Sequence, residues 1–212
     1  AMLVGIIGCA AAMPEAPTHN ASGEAPPVGE VLRQPRVRAL LAACFAMSAG
    51  HGALYIFYSI HLAEHGYGKT LIGALWSLGV VAEIVLFMFM ARVMQRYSLR
   101  AILLASFAAA VVRFLMIGWG VESLAVVVVA QVLHALTFGA YHAASIAAVN
   151  RWFPGRCQAR GQALYSSLSF GAGGLLGGLF SGWSWDALGA GITYTVSSIC
   201  CLVGLVLVGA VF

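Results

Sequence analysis

Charge is what this chain has least of. Only 8% of its 212 residues are Asp, Glu, Lys or Arg, where a soluble domain carries roughly a quarter. A chain so poor in ions cannot clothe a water-facing surface, which excludes an ordinary soluble fold. Acids are scarcer than bases, and Asp186 is the single aspartate, so an aspartate-rich motif for holding a diphosphate is excluded. There is no GxSxG and no HExxH, which leaves an intramembrane enzyme without a nucleophile or a metal constellation. The five cysteines, Cys9, Cys44, Cys157, Cys200 and Cys201, show neither CxxC nor Cys/His ligand spacing. No zinc site, no disulfide framework and no cofactor is therefore expected. The net charge of +4 is small and gathered between apolar runs, which is a topology signal and not a nucleic-acid footprint.

What is abundant is hydrophobicity, at 61% of residues. Six apolar runs, approximately 39–62, 70–91, 99–119, 123–149, 161–183 and 188–210, each approach or exceed the roughly 20 residues needed to cross a bilayer. The expected fold is an all-α membrane protein, a six-helix transmembrane bundle over residues 39–212, multi-pass in the lipid bilayer of a cell membrane. Residues 14–38 hold five of the six prolines and three glutamates, a composition read as a cytoplasmic linker. Residues 1–13 form an apolar stretch too short to span, read as the end of a truncated transmembrane helix. A lipoprotein-like reading of Ile6-Ile7-Gly8-Cys9 would need a basic segment that does not precede it.

The arginines sort by side. Arg33, Arg36 and Arg38, then Arg92, Arg96 and Arg100, then Arg151, Arg156 and Arg160 fall in alternate connections, and the others hold only Lys69. By the positive-inside rule the arginine connections are cytoplasmic basic loops and Lys69 lies outside.

Three ionisable residues lie within successive spans: Glu83, Arg113 and His134. A charge at a helix centre costs roughly 2.5–3.5 kcal/mol on insertion scales, so each marks a functional site with a partner to be found. Counting inward from the outer ends at 1.5 Å per residue puts Glu83 roughly 20 Å deep, His134 roughly 16 Å and Arg113 roughly 9 Å. With the reach of the arginine side chain the three can meet. A carboxylate, a guanidinium and an imidazole in one water-accessible cavity suit a proton relay. The competing reading is a protonated Glu83 that only fixes helix packing.

Periodicity marks the faces. His51, Tyr55, Tyr58 and His61, spaced four, three and three, make a polar-aromatic stripe on the first span. On the fourth span His134, Phe138, Tyr141, His142 and Ser145 share a side. His51, Tyr55, Tyr58, Trp76, Phe138, Tyr141 and His142 are therefore candidates to line a substrate cavity. On the fifth span Gly174, Gly178 and Gly182 recur every fourth residue, a face on which two backbones can approach closely.

The stretches Leu75-Trp76-Ser77-Leu78-Gly79-Val80-Val81-Ala82-Glu83, Val111-Val112-Arg113, Ala130-Gln131-Val132-Leu133-His134, Thr137-Phe138 and His142 resemble the phenylpropionate permease branch of the major facilitator superfamily, over most of residues 33–210. The resemblance implies the C-terminal half of a twelve-helix transporter: residues 1–13 end helix 6, residues 14–38 are the central loop, and helices 7–12 follow. It implies proton-coupled symport of a small organic, aromatic-acid-like solute, with protons and the N-terminal six-helix half of the same polypeptide as partners. The branch is similar to lactose permease-type symporters, which place a glutamate, an arginine and a histidine on helices 8, 9 and 10, and Glu83, Arg113 and His134 match those roles. Two departures stand out: Thr137 occupies the place of a second carboxylate one turn after the histidine, and the basic loop at 92–100 lacks its acidic residue. A sugar or nucleoside proton symporter of the same fold and a non-transporting membrane scaffold or receptor are the alternatives.

Overall fold

A computed structural model describes residues 27–212. The chain is helical almost throughout. A short helix α1 (Val28–Arg33) leads into six spans: α2 (Pro35–Glu64), α3 (Lys69–Arg96), α4 (Leu99–Trp119), α5 (Leu124–Trp152), α6 (Gly155–Leu188) and α7 (Ala190–Val211). These are the six helices among the described residues long and apolar enough to cross a membrane.

The expectation for residues 1–13, and for 14–26 of the linker, lies outside the described residues. From residue 28 the linker reading is corrected, because helix begins at Val28 and resumes at Pro35. The prolines that suggested a linker stand where helices tolerate them: Pro27 caps α1, and Pro35 occupies the first turn of α2, where its missing N–H would have had no partner. Val31 and Val37 bury almost completely, which supplies the packing that composition concealed.

The turns are closed by recognisable chemistry. At the end of α2 the Gly66 amide bonds to Ala63 O at 3.0 Å and the Tyr67 amide to Leu62 O at 3.1 Å. Gly66 sits at φ 82°, the left-handed conformation this motif assigns to glycine. The Tyr67 hydroxyl then donates to Val121 O at 2.7 Å, tying that turn to the one after α4. Ser98 caps α4 by accepting from the Ala101 amide.

Two spans are not α-helical throughout. α5 turns into a π-helix over Ala135–Ala140 and α6 over Ser167–Gly173. A π turn takes one extra residue, and such segments recur at functional sites. The first packs against α3 and α4, the second against α2.

Helix α2 is the centre of the bundle, touching α6 and α7, while α7 also packs on α4 and α3 packs chiefly on α5. Water contributes no drive for such packing inside a bilayer, so close contact of small residues matters. Here the predicted glycine face is corrected. A side chain at Gly174 or Gly182 would meet open space, and one at Gly178 only the tip of Ile56. The close approach is made by the neighbouring row: a Cβ on Gly173 would stand 2.7 Å from Phe45 O, and one on Gly177 2.7 Å from the Ala49 carbonyl carbon. Reciprocally, a Cβ on Gly52 would stand 2.6 Å from the Gly178 amide nitrogen.

Candidate functional site

Glu83 and His134 face each other. Glu83 comes from the middle of α3, and His134 from the turn just before the π segment of α5. Their Oε2 and Nε2 atoms stand 3.9 Å apart with both side chains mostly buried, an ion-pair distance rather than a direct hydrogen bond. Two glycines make the space. A Cβ on Gly139 would lie 3.1 Å from the Glu83 side chain, and one on Gly79 would lie 3.5 Å from the His134 ring. The other imidazole nitrogen, Nδ1, is buried without a partner.

Arg113 does not join that pair. It is fully buried and its guanidinium is spent on neutral acceptors of α5. Nε donates to Ala130 O at 2.7 Å, one terminal nitrogen to Thr137 Oγ1 at 3.0 Å, and the other to Gln131 Oε1 at 3.0 Å. The expected meeting of acid, arginine and histidine thus divides into a Glu83–His134 pair and an Arg113 centre, linked through α5. Thr137, which stands where a second carboxylate was expected from the resemblance, is an acceptor for the guanidinium. Gln131 was not singled out as a site residue. Its signal was an amide inside the run Val126-Val127-Val128-Val129-Ala130 and Val132.

Next to this centre lies a cavity of about 240 Å³ between α2, α5 and α6. Of the seven expected lining residues, His51, Tyr55, Phe138 and Tyr141 line it, joined by Thr137 and Phe170. The other three do not. Tyr58 is fully buried with its ring edge-on to Trp76 at 5.2 Å. Trp76 donates to Ser59 Oγ at 3.0 Å and stacks parallel to Tyr55 at 6.5 Å, so these two belong to an aromatic tie between α2 and α3. His142 shares a 2.9 Å hydrogen bond with the Tyr165 hydroxyl. It closes a column in which His134, Phe138 and His142 stack ring on ring at 5.5 and 5.9 Å. Phe170 lies in the π segment of α6, on a span that the sequence reading examined only for its glycines.

The basic residues expected in loops stand on helix ends. Arg92 and Arg96 end α3, Arg100 begins α4, Arg151 is in the last turn of α5, and Arg156 and Arg160 open α6. The connections between these spans are only two residues long, at 97–98 and 153–154. Arg36, Arg100 and Arg151 line one cleft of about 470 Å³, which puts those ends of α2, α4 and α5 at the same end of the bundle. Arg100 also donates to Gly209 O at 2.8 Å, covering a terminal carbonyl of α7. No group of three or more potential metal ligands occurs among the described residues.

The MFS_1 like family matches residues 5–196. Over 160 residues, 74% of this chain, the sequence is 32% identical to a protein of Escherichia coli (strain K12) named "Probable 3-phenylpropionic acid transporter". The match covers 41% of that relative, so the chain spans less than half its length. Among solved structures, a mutant form of the nucleoside transporter NupG matches with a TM-score of 0.71 at 15% identity. That alignment covers 98% of this chain and 57% of the solved one, and at such identity it speaks for the fold alone.

Proposed function

Because the chain belongs to the MFS_1 like family, a transporter family and not an enzyme family, we propose that this multi-pass membrane protein carries the coupling site of a proton symporter for a small aromatic-acid-like solute. The observation that carries the reading is the Glu83–His134 pair at 3.9 Å. It is the one acid–base contact within ion-pair distance among the described residues, and it lies mid-span in a bilayer where an ionisable group is expensive unless it is used. The aromatic cavity beside it, and a relative named for phenylpropionic acid, support the solute class. In this reading the six spans work against a second six-helix half of the same polypeptide, and the arginine-bearing ends face the cytoplasm.

The chemistry follows from the pair. Glu83 accepts the proton and His134 senses it, since a carboxylate beside the imidazole favours its charged form and a protonated acid does not. Arg113, whose donors are taken by Ala130, Gln131 and Thr137, braces the segment of α5 on which His134 sits. Glu83→Gln fixes the protonated form. In membrane vesicles it should retain exchange of labelled for unlabelled 3-phenylpropionate, a process without net proton release, and lose accumulation driven by a proton gradient. Full accumulation by Glu83→Gln would remove this carboxylate from the proton path.

A further inference from the structure

Four helix ends meet around the cleft of about 470 Å³. Arg36 comes from the first turn of α2, Arg100 from the first turn of α4 and Arg151 from the last turn of α5, and Phe212 follows the end of α7. Two of these helices bring a positive end and two a negative end, so the dipoles offset each other and the arginines set the sign of the cleft. No acid lines it. Nine arginines gather at this end of the bundle, three around the start of α2, three across the connection of α3 to α4 and three across that of α5 to α6. Against them stands one described acid, Glu30 on α1, and no arginine lies within ion-pair distance of a carboxylate among the described residues. Their donors are not used up. Arg36 gives Nε to Gln34 Oε1 at 3.0 Å and Arg100 gives one terminal nitrogen to Gly209 O at 2.8 Å, which leaves donors on both. The Arg151 guanidinium has no hydrogen-bond partner among the described residues. The rest of the wall is mainly apolar: Trp152 lies under the Arg36 guanidinium at 5.4 Å and packs on Phe212 at 5.0 Å, and Leu99 lines the cleft with them.

We propose that this cleft is a headgroup site for an anionic phospholipid, one whose phosphate carries no cationic partner of its own, as in phosphatidylglycerol. The planar forks of the three arginines match phosphate oxygens. Depth agrees, since the cleft is built from the ends of membrane spans, the level at which lipid phosphates lie and at which tryptophan is enriched. A soluble phosphate would use the arginines and leave Leu99, Trp152 and Phe212 unmatched, whereas the glycerol and ester region of a lipid covers them. The consequence is mechanical. A headgroup held by arginines of α2, α4 and α5, with Arg100 already bonded to α7, ties four helix ends together. The inference is independent of the solute and of the proton path.

The test titrates the full-length polypeptide in detergent with phosphatidylglycerol, phosphatidylethanolamine or inorganic phosphate and reads binding by native mass spectrometry. Phosphatidylglycerol should bind about tenfold more tightly than phosphatidylethanolamine, and inorganic phosphate at equal concentration should not displace it. Arg151→Gln, which breaks no hydrogen bond within the described residues, should weaken phosphatidylglycerol about fivefold, the worth of one arginine near an anionic surface. Arg160→Gln, the same loss of charge outside the cleft, should leave it unchanged. Equal binding of the two lipids overturns the proposal. So does equal weakening by the two variants, which would leave only a diffuse positive field, and so does displacement by inorganic phosphate, which would make this a site for a soluble anion. If Arg151→Gln fails to fold, phosphatidylglycerol with a photoreactive headgroup locates the site in the parent protein: adducts at 98–100 and 151–152 are expected, and adducts only elsewhere overturn the assignment.

Discussion

Arg113 is a cation enclosed in a membrane span without an anion beside it. It is held by geometry: a planar fork reaches a backbone carbonyl, an amide and a hydroxyl at three points, which a point charge on a flexible stem cannot do. Each acceptor left unmatched in such a site costs about 1–3 kcal/mol. Arg113→Ala should therefore lower the unfolding temperature in detergent, followed by tryptophan fluorescence, well below that of Glu83→Gln, and Arg113→Lys should recover little of the loss. An Arg113→Lys protein as stable as the parent would show that one contact, not three, holds the guanidinium. Glu83 and His134 were legible in the sequence because an ionisable group in an apolar run announces itself, and counting residues placed both near mid-membrane. The partners of Arg113 were not legible. Gln131 and Thr137 are neutral, and the carbonyl of Ala130 looks, in sequence, like that of any other residue.

The glycines of α6 make the same point for a helix. Gly173, Gly177 and Ser181 are spaced like Gly174, Gly178 and Gly182, so spacing alone cannot say which row faces a neighbour. The decision is made by α2, where Ala49 and Gly52 offer the matching small surface, and by the π segment at Ser167–Gly173, which shifts the phase of everything counted across it. Gly177→Leu would drive a side chain into the backbone of α2 and should abolish monodisperse protein on size-exclusion chromatography, while Gly182→Leu should run like the parent. The reverse pattern would return the packing face to the row read from the sequence. The number and order of the six spans among the described residues were legible from hydropathy, whereas the short helix α1 was not. Helix ends were not, because arginines counted as loop residues lie in the first or last turns of helices and two of the connections are only two residues long.

For the molecule as a whole, the arrangement of charge predicts its orientation. Cysteines introduced at Arg96 and Arg156 should be shielded from a membrane-impermeant maleimide added outside intact cells, and one at Lys69 should react. Labelling at Arg156 with protection at Lys69 would invert the protein. The six spans also differ in length: α2 has 30 residues and α3 has 28, but α4 has 21 and α7 has 22. At 1.5 Å per residue, α4 and α7 measure about 32 and 33 Å, close to the roughly 30 Å of hydrocarbon they cross, while α2 and α3 measure about 45 and 42 Å. The long helices can absorb a thicker or thinner bilayer by tilting, with Arg92 and Arg96 riding in the headgroups. The short ones have no slack. Helices α4 and α7 are thus the spans with least length to spare for a thicker bilayer, and α4 is the one that carries the buried Arg113.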